Sequence, residues 1–286
     1  MLVLIVLLVI FGLAVLFSSS EYNGRVRFGD SACYFKKQLF ATALGMGVMY
    51  MVSSIDYHFF LRLGPVAYLI SMFLSGAVLF VGQEINGSKR WLNLGPLSFQ
   101  PSEFAKVAVI LFLAWQIERT KKATMGFGFM CRTILTLLPI IGLVGSNNLS
   151  TAIIVIAITV LLLFLVHPKT KRFVVFACVV LVLAVIVVVY LKIQISDMAT
   201  STDFRMRRII AWLNPEANSD KDSYQFLQGL YAIGSGGFFG KGLGNSTQKL
   251  SAIPEAQNDM ILTVICEELG VFGAILILCL FGFMLY

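Results

Sequence analysis

The stretch NGSKRWLNLGPLSFQPSEFAK (86–106) places two adjacent cations, a tryptophan and a Glu–Lys pair in one short part of an otherwise apolar chain. Pro101 suits the first turn of a helix, and Glu103 complements the positive end of that helix. Lys106 follows at i+3 on the same face, and ionisable residues at the edge of an apolar span tend to mark pathways and sites. The alternative is a Glu103–Lys106 pair that only neutralises itself.

A second group of charged residues lies at the start of the last apolar run, PEAQNDMILTVICEELG (254–270). Ionisable residues in an apolar span are costly and tend to mark pathways and sites. Four acids occur here: Glu255, Asp259, Glu267 and Glu268. A carboxylate such as Asp259 can act as a general base, but an Asp at a helix start is also typical of an N-cap. On the residues alone both interpretations stay open.

The glycine run GSGGFFGKGLGNS (234–246) fails both nucleotide-binding patterns. A phosphate loop would need Gly in place of Ser235, and Ser or Thr in place of Gly242. The dinucleotide pattern fails because Phe239 stands where its third glycine belongs. We therefore expect these glycines to allow tight turns or close approach to a ligand, and no nucleotide cofactor is indicated.

No metal site is predicted from the cysteines and histidines. The five cysteines, at 33, 131, 178, 266 and 279, are not spaced as metal-binding pairs, and packing is their expected role. His58 and His167 lie in short connectors far apart in the sequence. No cofactor is certain, a divalent cation remains open, and nothing points to nucleic acid.

The composition indicates a membrane protein. Apolar residues make up 58% of the 286 and charged residues 13%, with a mean hydropathy of +0.86, whereas a soluble chain is about 25% charged. Eight apolar runs approach bilayer length: 1–17, 39–54, 63–82, 103–117, 129–145, 149–166, 173–191 and 260–286. We therefore predict an all-α, polytopic membrane helix bundle in a single domain over 1–286.

The first run could also be a signal peptide. It lacks a basic n-region, and the SSSEYNG that follows lacks an A-x-A-like cleavage site. An uncleaved first helix is therefore the favoured interpretation.

Span parity divides the connectors between two sides of the membrane. Connectors 18–38, 83–102, 146–148 and 192–258 share one side, and 55–62, 118–128 and 167–172 share the other. The second set, together with Arg132 at its flank, carries eight Lys or Arg, and the short loops of the first set carry six. This excess predicts that the second set is cytoplasmic. Part of the net charge of +7 then faces outward, which suits an anionic partner such as a phosphate-bearing lipid head group.

The 192–258 connector is too long for a simple link and is predicted to be an extracellular loop with short amphipathic helices. FRMRRIIAWLNP (204–215) separates a face with Arg205, Arg208 and Trp212 from an apolar face. DSYQFLQGLYAIG (222–234) is predicted to be a second helix, capped by Ser223 and ended by Gly234.

Two of these segments carry a family resemblance. GSKRWLNLGPLSFQPSEFAK (87–106) is similar to the first signature of the SEDS proteins (shape, elongation, division and sporulation), and YQFLQGLYAIGSGGFFGKGLGNSTQKLSAIPEAQNDMILTVICEELGVFGA (224–274) to the second. The likeness spans most of the chain, and it is greater to the division and sporulation branches than to the elongation branch.

The resemblance implies an inverting peptidoglycan glycosyltransferase of the bacterial plasma membrane, with its active site on the extracytoplasmic face. Such an enzyme polymerises lipid II, a disaccharide-pentapeptide on undecaprenyl pyrophosphate, into β-1,4 glycan strands. The implied partners are a class B penicillin-binding protein, divisome proteins and membrane lipids. A lipid II flippase or other transporter, and a non-catalytic scaffold of the division machinery, are the alternatives.

The same resemblance assigns roles to single residues. Asp259 falls on the essential carboxylate of the family and is the expected catalytic base. The expected substrate-binding residues are Arg90, Trp91, Gln100, Ser102, Glu103, Lys106, Gln248, Lys249 and Glu255. One base suffices because the pyrophosphate leaving group needs cations rather than a protonated acid, so the paired catalytic carboxylates of glycosidases are not required.

The chain departs from the family pattern in three places. Gln257-Asn258 replaces the His-Thr before the acid, and SNNLSTA (146–152) replaces QPDLGTA, so that Asn148 stands in place of an acid. Family members continue past Tyr286 for two more spans, which makes eight of an expected ten. We therefore expect the 286-residue chain to be inactive alone and less stable than a longer form.

The topology can be tested by labelling on intact cells, in a background without the native cysteines. Ser88→Cys is expected to react with an impermeant maleimide because the 83–102 loop is predicted to face outside. Thr120→Cys, on the other side, is expected to be protected. Reaction of the Thr120→Cys variant alone would reverse the assignment.

Overall fold

The computed structural model describes residues 1–85, 88–94, 97–120, 127–166, 182, 189, 221–250, 253 and 256–285. The helices are α1 (Leu2–Phe28), α2 (Cys33–Ser53), α3 (Tyr57–Val81), α4 (Pro101–Arg119), α5 (Phe127–Asn147), α6 (Leu149–Val166), α7 (Lys221–Gly236) and α8 (Ile261–Leu285). The strands are β1 (Gln83–Ile85), β2 (Ser88–Leu94) and β3 (Leu97–Phe99).

The prediction of a helical membrane fold is confirmed. Seven of the eight apolar runs fall in α1 to α6 and α8, and the run at 173–191 lies outside the described residues except for 182 and 189. Helices long and apolar enough to cross a bilayer are Leu2–Phe28, Tyr57–Val81, Gly128–Ser146, Leu149–Val166 and Ile261–Leu285. The number of spans in the whole chain stays a prediction.

The chain divides into two compact units. The central unit is Ser53–Val185, and the terminal unit combines Met1–Val52 with Ile186–Tyr286. The sequence-based expectation of a single domain is not tested by this division, and each unit is described by itself.

The core of the central unit lies where α3, α4, α5 and α6 meet. Tyr68 of α3 stacks on Phe112 of α4 with ring centroids 4.5 Å apart, and its hydroxyl donates to the Thr136 carbonyl of α5 at 2.6 Å. Leu113 and Val155 are fully buried in the same cluster. This packing holds α4, whose first turns carry several of the predicted site residues.

The strands β1, β2 and β3 form a small antiparallel sheet just before α4, which the sequence analysis did not predict. Strand order is β1-β2-β3, with Trp91 opposite Gln83 and Leu92 opposite Phe99. β1 and β3 are only three residues long, which is too short for a clear alternating pattern. The Asn-Gly at 86–87 is typical of a two-residue hairpin and was the available signal.

In the terminal unit, α8 is interrupted at Gly270, whose φ of 70° and ψ of −169° are not helical. Lys241 and Gly242 donate their backbone N–H groups to the carbonyls of Glu267 and Glu268, both at 2.9 Å. Beyond the break, Val271 N–H donates to the Gly237 carbonyl at 3.1 Å. Part of the glycine run therefore supplies the backbone hydrogen bonds that α8 lacks.

This arrangement explains why the run is rich in glycine. Gly240 has a φ of 78°, and an added Cβ would lie 2.2 Å from the Glu268 carbonyl oxygen. Gly240 thus allows the backbone to approach α8 closely, whereas the sequence analysis expected tight turns or close approach to a ligand. Whether any of them also approaches a ligand stays a prediction.

The predicted boundaries of the second loop helix are wrong at both ends. α7 begins at Lys221, before Ser223, and continues past Gly234 to Gly236. A glycine ends a helix where it adopts the left-handed conformation, and here Gly237 does so with a φ of 59°. The amphipathic helix predicted at 204–215 lies outside the described residues.

Candidate functional site

The first group of predicted site residues lies in the central unit, on β2 and the start of α4. Arg90 and Trp91 belong to β2 and are half-buried. Gln100 occupies the N-cap position of α4 without a side-chain cap, and Pro101 is the first helical residue. The structure therefore brings Arg90, Trp91, Gln100, Ser102, Glu103 and Lys106 into one unit.

Glu103 and Lys106 form the ion pair that their spacing predicted. Lys106 Nζ lies 2.9 Å from Glu103 Oε2, with side chains 26% and 57% exposed. Ion pairs this accessible contribute at most about 1 kcal/mol. The geometry of the self-neutralising alternative is thus present, but it is weak enough for Lys106 to exchange Glu103 for an anionic ligand.

A small cavity opens beside these residues. Its polar lining consists of Ser75 of α3, Arg90 of β2, Ser102 of α4 and Asn148, which precedes α6. Asn148 Oδ1 accepts a hydrogen bond from the Thr151 N–H at 3.2 Å. The side chain therefore caps α6, and its Nδ2 remains as a donor.

The second group lies in the terminal unit, where Asp259 is exposed in a turn just before α8. α8 begins at Ile261, so Asp259 precedes the N-cap position, Met260, by one residue. The Met260 carbonyl accepts from the Thr263 N–H at 3.1 Å, as an N-cap carbonyl does. This placement disfavours the simple N-cap interpretation of Asp259.

Glu267 differs from Asp259 in being fully buried, with an exposed fraction of 0%. Its Oε1 accepts from Lys241 Nζ at 2.7 Å, Thr247 Oγ1 at 3.0 Å and Thr247 N–H at 3.1 Å. Its Oε2 accepts from Ser246 Oγ and, at 3.3 Å, from the Gln248 N–H. One carboxylate therefore holds the loop that follows α7 against α8.

Glu268 is paired in the same manner. Lys249 Nζ lies 2.7 Å from Glu268 Oε1, and the side chains are 6% and 1% exposed. Ser18 of α1 donates to the same Oε1 at 2.7 Å and accepts from Lys249 Nζ at 2.8 Å. Lys249 is thus committed to a buried ion pair, and its predicted role in substrate binding stays a prediction.

Sequence reasoning placed Glu267 and Glu268 at the helix start but did not predict their partners. The available signal was the presence of two acids within an apolar run. Burying their charges is costly, so each acid is expected to pair with a cation. Lys241 and Lys249 were the nearest upstream candidates. Predicting the pairing required the break at Gly270, which no sequence pattern identified.

The remaining assignments are placed as follows. Gln248 is half-buried beside Lys249, and Glu255 lies outside the described residues. Gln257 is buried, and its Oε1 accepts from Asn23 Nδ2 of α1 at 2.9 Å. Within the part of the chain that the structure describes, no cluster of three or more His, Cys, Asp or Glu could hold a metal ion.

Comparison with known proteins gives consistent matches along the whole chain. The FtsW/RodA/SpoVE family model, described as "Cell cycle protein", matches residues 1–286. The probable peptidoglycan glycosyltransferase FtsW of Trichlorobacter lovleyi is 32% identical over 285 residues, which cover 98% of this chain and 72% of that protein. Stage V sporulation protein E of Bacillus subtilis is 31% identical, covering 99% and 76%.

Solved structures share the fold. A peptidoglycan synthase complex, described in terms of coordinated polymerization and crosslinking, matches with a TM-score of 0.65 and 24% identity over 97% of this chain and 75% of that chain. Rod shape determining protein RodA of Thermus thermophilus matches with a TM-score of 0.56 and 22% identity, covering 97% and 71%.

The hydrogen bonds accepted by Glu267 lead to a prediction about stability. Glu267→Gln removes a buried charge that accepts several hydrogen bonds, so we expect it to lower the free energy of unfolding by about 3 kcal/mol. Glu118→Gln, at an exposed position of α4, serves as the control and should change it by less than about 0.5 kcal/mol. Thermal unfolding in detergent measures both, and equal midpoints would contradict a structural role for Glu267.

Proposed function

Because the chain belongs to the FtsW/RodA/SpoVE family of cell cycle proteins, we propose that it is a peptidoglycan glycosyltransferase. Its substrate is lipid II, which it polymerises into β-1,4 glycan strands at the outer face of the bacterial plasma membrane. The support comes from relatives that are named probable peptidoglycan glycosyltransferases and match nearly the whole chain.

One observation carries the assignment of the base. Of the three described acids at the start of α8, Glu267 and Glu268 are buried and paired with lysines, whereas Asp259 is exposed. A general base must reach the proton that it removes. The exposure of Asp259 therefore supports it, rather than Glu267 or Glu268, as the proposed base.

The proposed reaction is a single displacement at the anomeric carbon. The acceptor sugar hydroxyl forms the new C–O bond as its proton passes to the Asp259 carboxylate. The bond from the anomeric carbon to the pyrophosphate oxygen breaks, and undecaprenyl pyrophosphate leaves with the electron pair. Attack on the face opposite the leaving group inverts the anomeric configuration.

Arg90 and Lys106 are proposed to bind the pyrophosphate. Charge develops on the leaving oxygen during the displacement, and fixed cations stabilise that charge. Arg90 presents a planar set of donors suited to phosphate. Lys106 can contribute because its partner Glu103 is exposed and can be replaced by a phosphate oxygen.

The proposal extends to a partner. The solved complex with the same fold is described as coordinating polymerization and crosslinking, which supports a crosslinking class B penicillin-binding protein as the partner of this chain. Divisome proteins are the further partners proposed from the family resemblance.

Polymerisation of labelled lipid II by purified protein, with no other synthase present, tests the function. The assay is run on the 286-residue chain and on the chain extended with the last two spans of a relative. Glycan strands are the expected product of the extended protein. Transfer of lipid II across vesicles without polymer would indicate a transporter, and neither activity would indicate a scaffold.

Lys106→Ala tests the pyrophosphate role. We expect kcat/KM for lipid II to fall about tenfold, because a charge-assisted hydrogen bond to the leaving group is lost, with little change in thermal stability. The exposed pair with Glu103 is too weak to matter for folding. A variant that fails to fold would instead make the Glu103–Lys106 pair structural.

Asp259→Asn tests the base. Asp259 is exposed and precedes the N-cap position of α8 by one residue, so the Asn variant should keep its stability and its lipid II binding, while polymerisation by the extended protein should be abolished. Asp56→Asn is the matched control, because Asp56 is a true N-cap whose carboxylate accepts from the His58 N–H at 3.1 Å. Near-normal glycan synthesis by Asp259→Asn would remove this residue from the mechanism.

A further inference from the structure

The small cavity of the central unit contains two hydroxyl groups that have no protein partner. Ser75 of α3 is 2% exposed, and neither its Oγ nor the buried Oγ of Ser102 has a hydrogen-bond partner within the described part of the chain. Both residues line the same cavity. A buried hydroxyl without a partner costs about 1–3 kcal/mol, so two at one place indicate a site completed by a bound water or by a polar group of a ligand.

Ser71 shows that a buried serine on α3 need not lack a hydrogen-bond partner. It lies one turn before Ser75 and is also buried, at 0% exposed. Its Oγ donates to the Tyr68 carbonyl at 3.0 Å. A serine on the same helix can thus satisfy itself with the preceding turn, and Ser75 does not.

The electrostatic character of the cavity favours an anion. Arg90 contributes a cation, and Ser102 lies in the first turn of α4, where the helix dipole is positive. Asn148 is neutral where the SEDS family pattern carries an acid, and its Nδ2 is a donor. No carboxylate belongs to the described lining.

The size of the cavity limits what can enter. Its volume of about 10 Å³ corresponds to a single water-sized group. A whole pyrophosphate does not fit inside, but a single phosphoryl oxygen does.

We propose that Ser75 and Ser102, with Arg90, form a subsite for one phosphoryl oxygen of the substrate. The proposal rests on the proposed function for the identity of that substrate, and it adds two neutral donors to the cations already assigned. Ser75 is the specific addition, since it lies on α3, outside both signature segments.

Thermal unfolding of the purified chain in detergent, with inorganic pyrophosphate at constant ionic strength, tests the subsite without requiring catalysis. Pyrophosphate is expected to raise the unfolding midpoint, and the dependence on its concentration gives a Kd. Ser75→Ala should raise that Kd about tenfold. Its ligand-free midpoint should be equal or higher, because an unpaired buried hydroxyl is removed.

Two further variants make the result specific. Ser71→Ala is the matched control and should leave the Kd for pyrophosphate unchanged. Ser102→Ala should raise the Kd in the same direction as Ser75→Ala. Acetate at the same ionic strength should stabilise much less than pyrophosphate, and equal stabilisation by both would overturn the phosphoryl assignment.

The subsite and the proposed function can fail separately. No stabilisation by pyrophosphate, an unchanged Kd in Ser75→Ala, or a lower ligand-free midpoint in that variant would overturn the subsite, even if the extended protein polymerises lipid II. Conversely, Ser75-dependent binding of pyrophosphate without any polymerisation would support the subsite and reject the glycosyltransferase.

Discussion

The terminal unit depends on the requirement that backbone hydrogen bonds be satisfied where a membrane helix is broken. In hydrocarbon, water is absent and an unsatisfied N–H or C=O costs several kcal/mol. α8 breaks at Gly270, and residues 237–242 supply the missing donors and acceptors. The glycine run, the buried Glu267 and its pairing with Lys241 all follow from holding that segment in place.

The same arrangement separates two kinds of acid. Glu267 and Glu268 are occupied by lysines within the unit, and their charges hold loop and helix together. Asp259, one residue before the N-cap position of α8, is left exposed. Because the loop that precedes Asp259 is anchored through Glu267, the position of the proposed base depends on residues that do not themselves meet the substrate.

Much of the fold could be predicted from the sequence, because apolar length alone identifies a membrane helix. The ion pair of Glu103 with Lys106 was also predictable, since both residues lie on one helix at a fixed spacing. The sheet formed by β1, β2 and β3 was missed because two of its strands are only three residues long. The end of α7 was predicted wrongly because the sequence does not show which of several glycines adopts a positive φ. The partners of Glu267 come from a loop more than 18 residues away along the chain, a distance at which residue spacing carries no information.

The link between α1 and α8 has a consequence for the order of membrane assembly. Ser18 donates to Glu268 across 250 positions, and Asn23 donates to Gln257 across 234. At the usual rate of translation, roughly 12 to 50 s separate the synthesis of Ser18 from that of Glu268. During that interval the polar side of the first helix has none of these partners, so the nascent chain must keep it near water, lipid head groups or an insertion factor. These hydrogen bonds of the terminal unit can therefore form only after α8 has been synthesised.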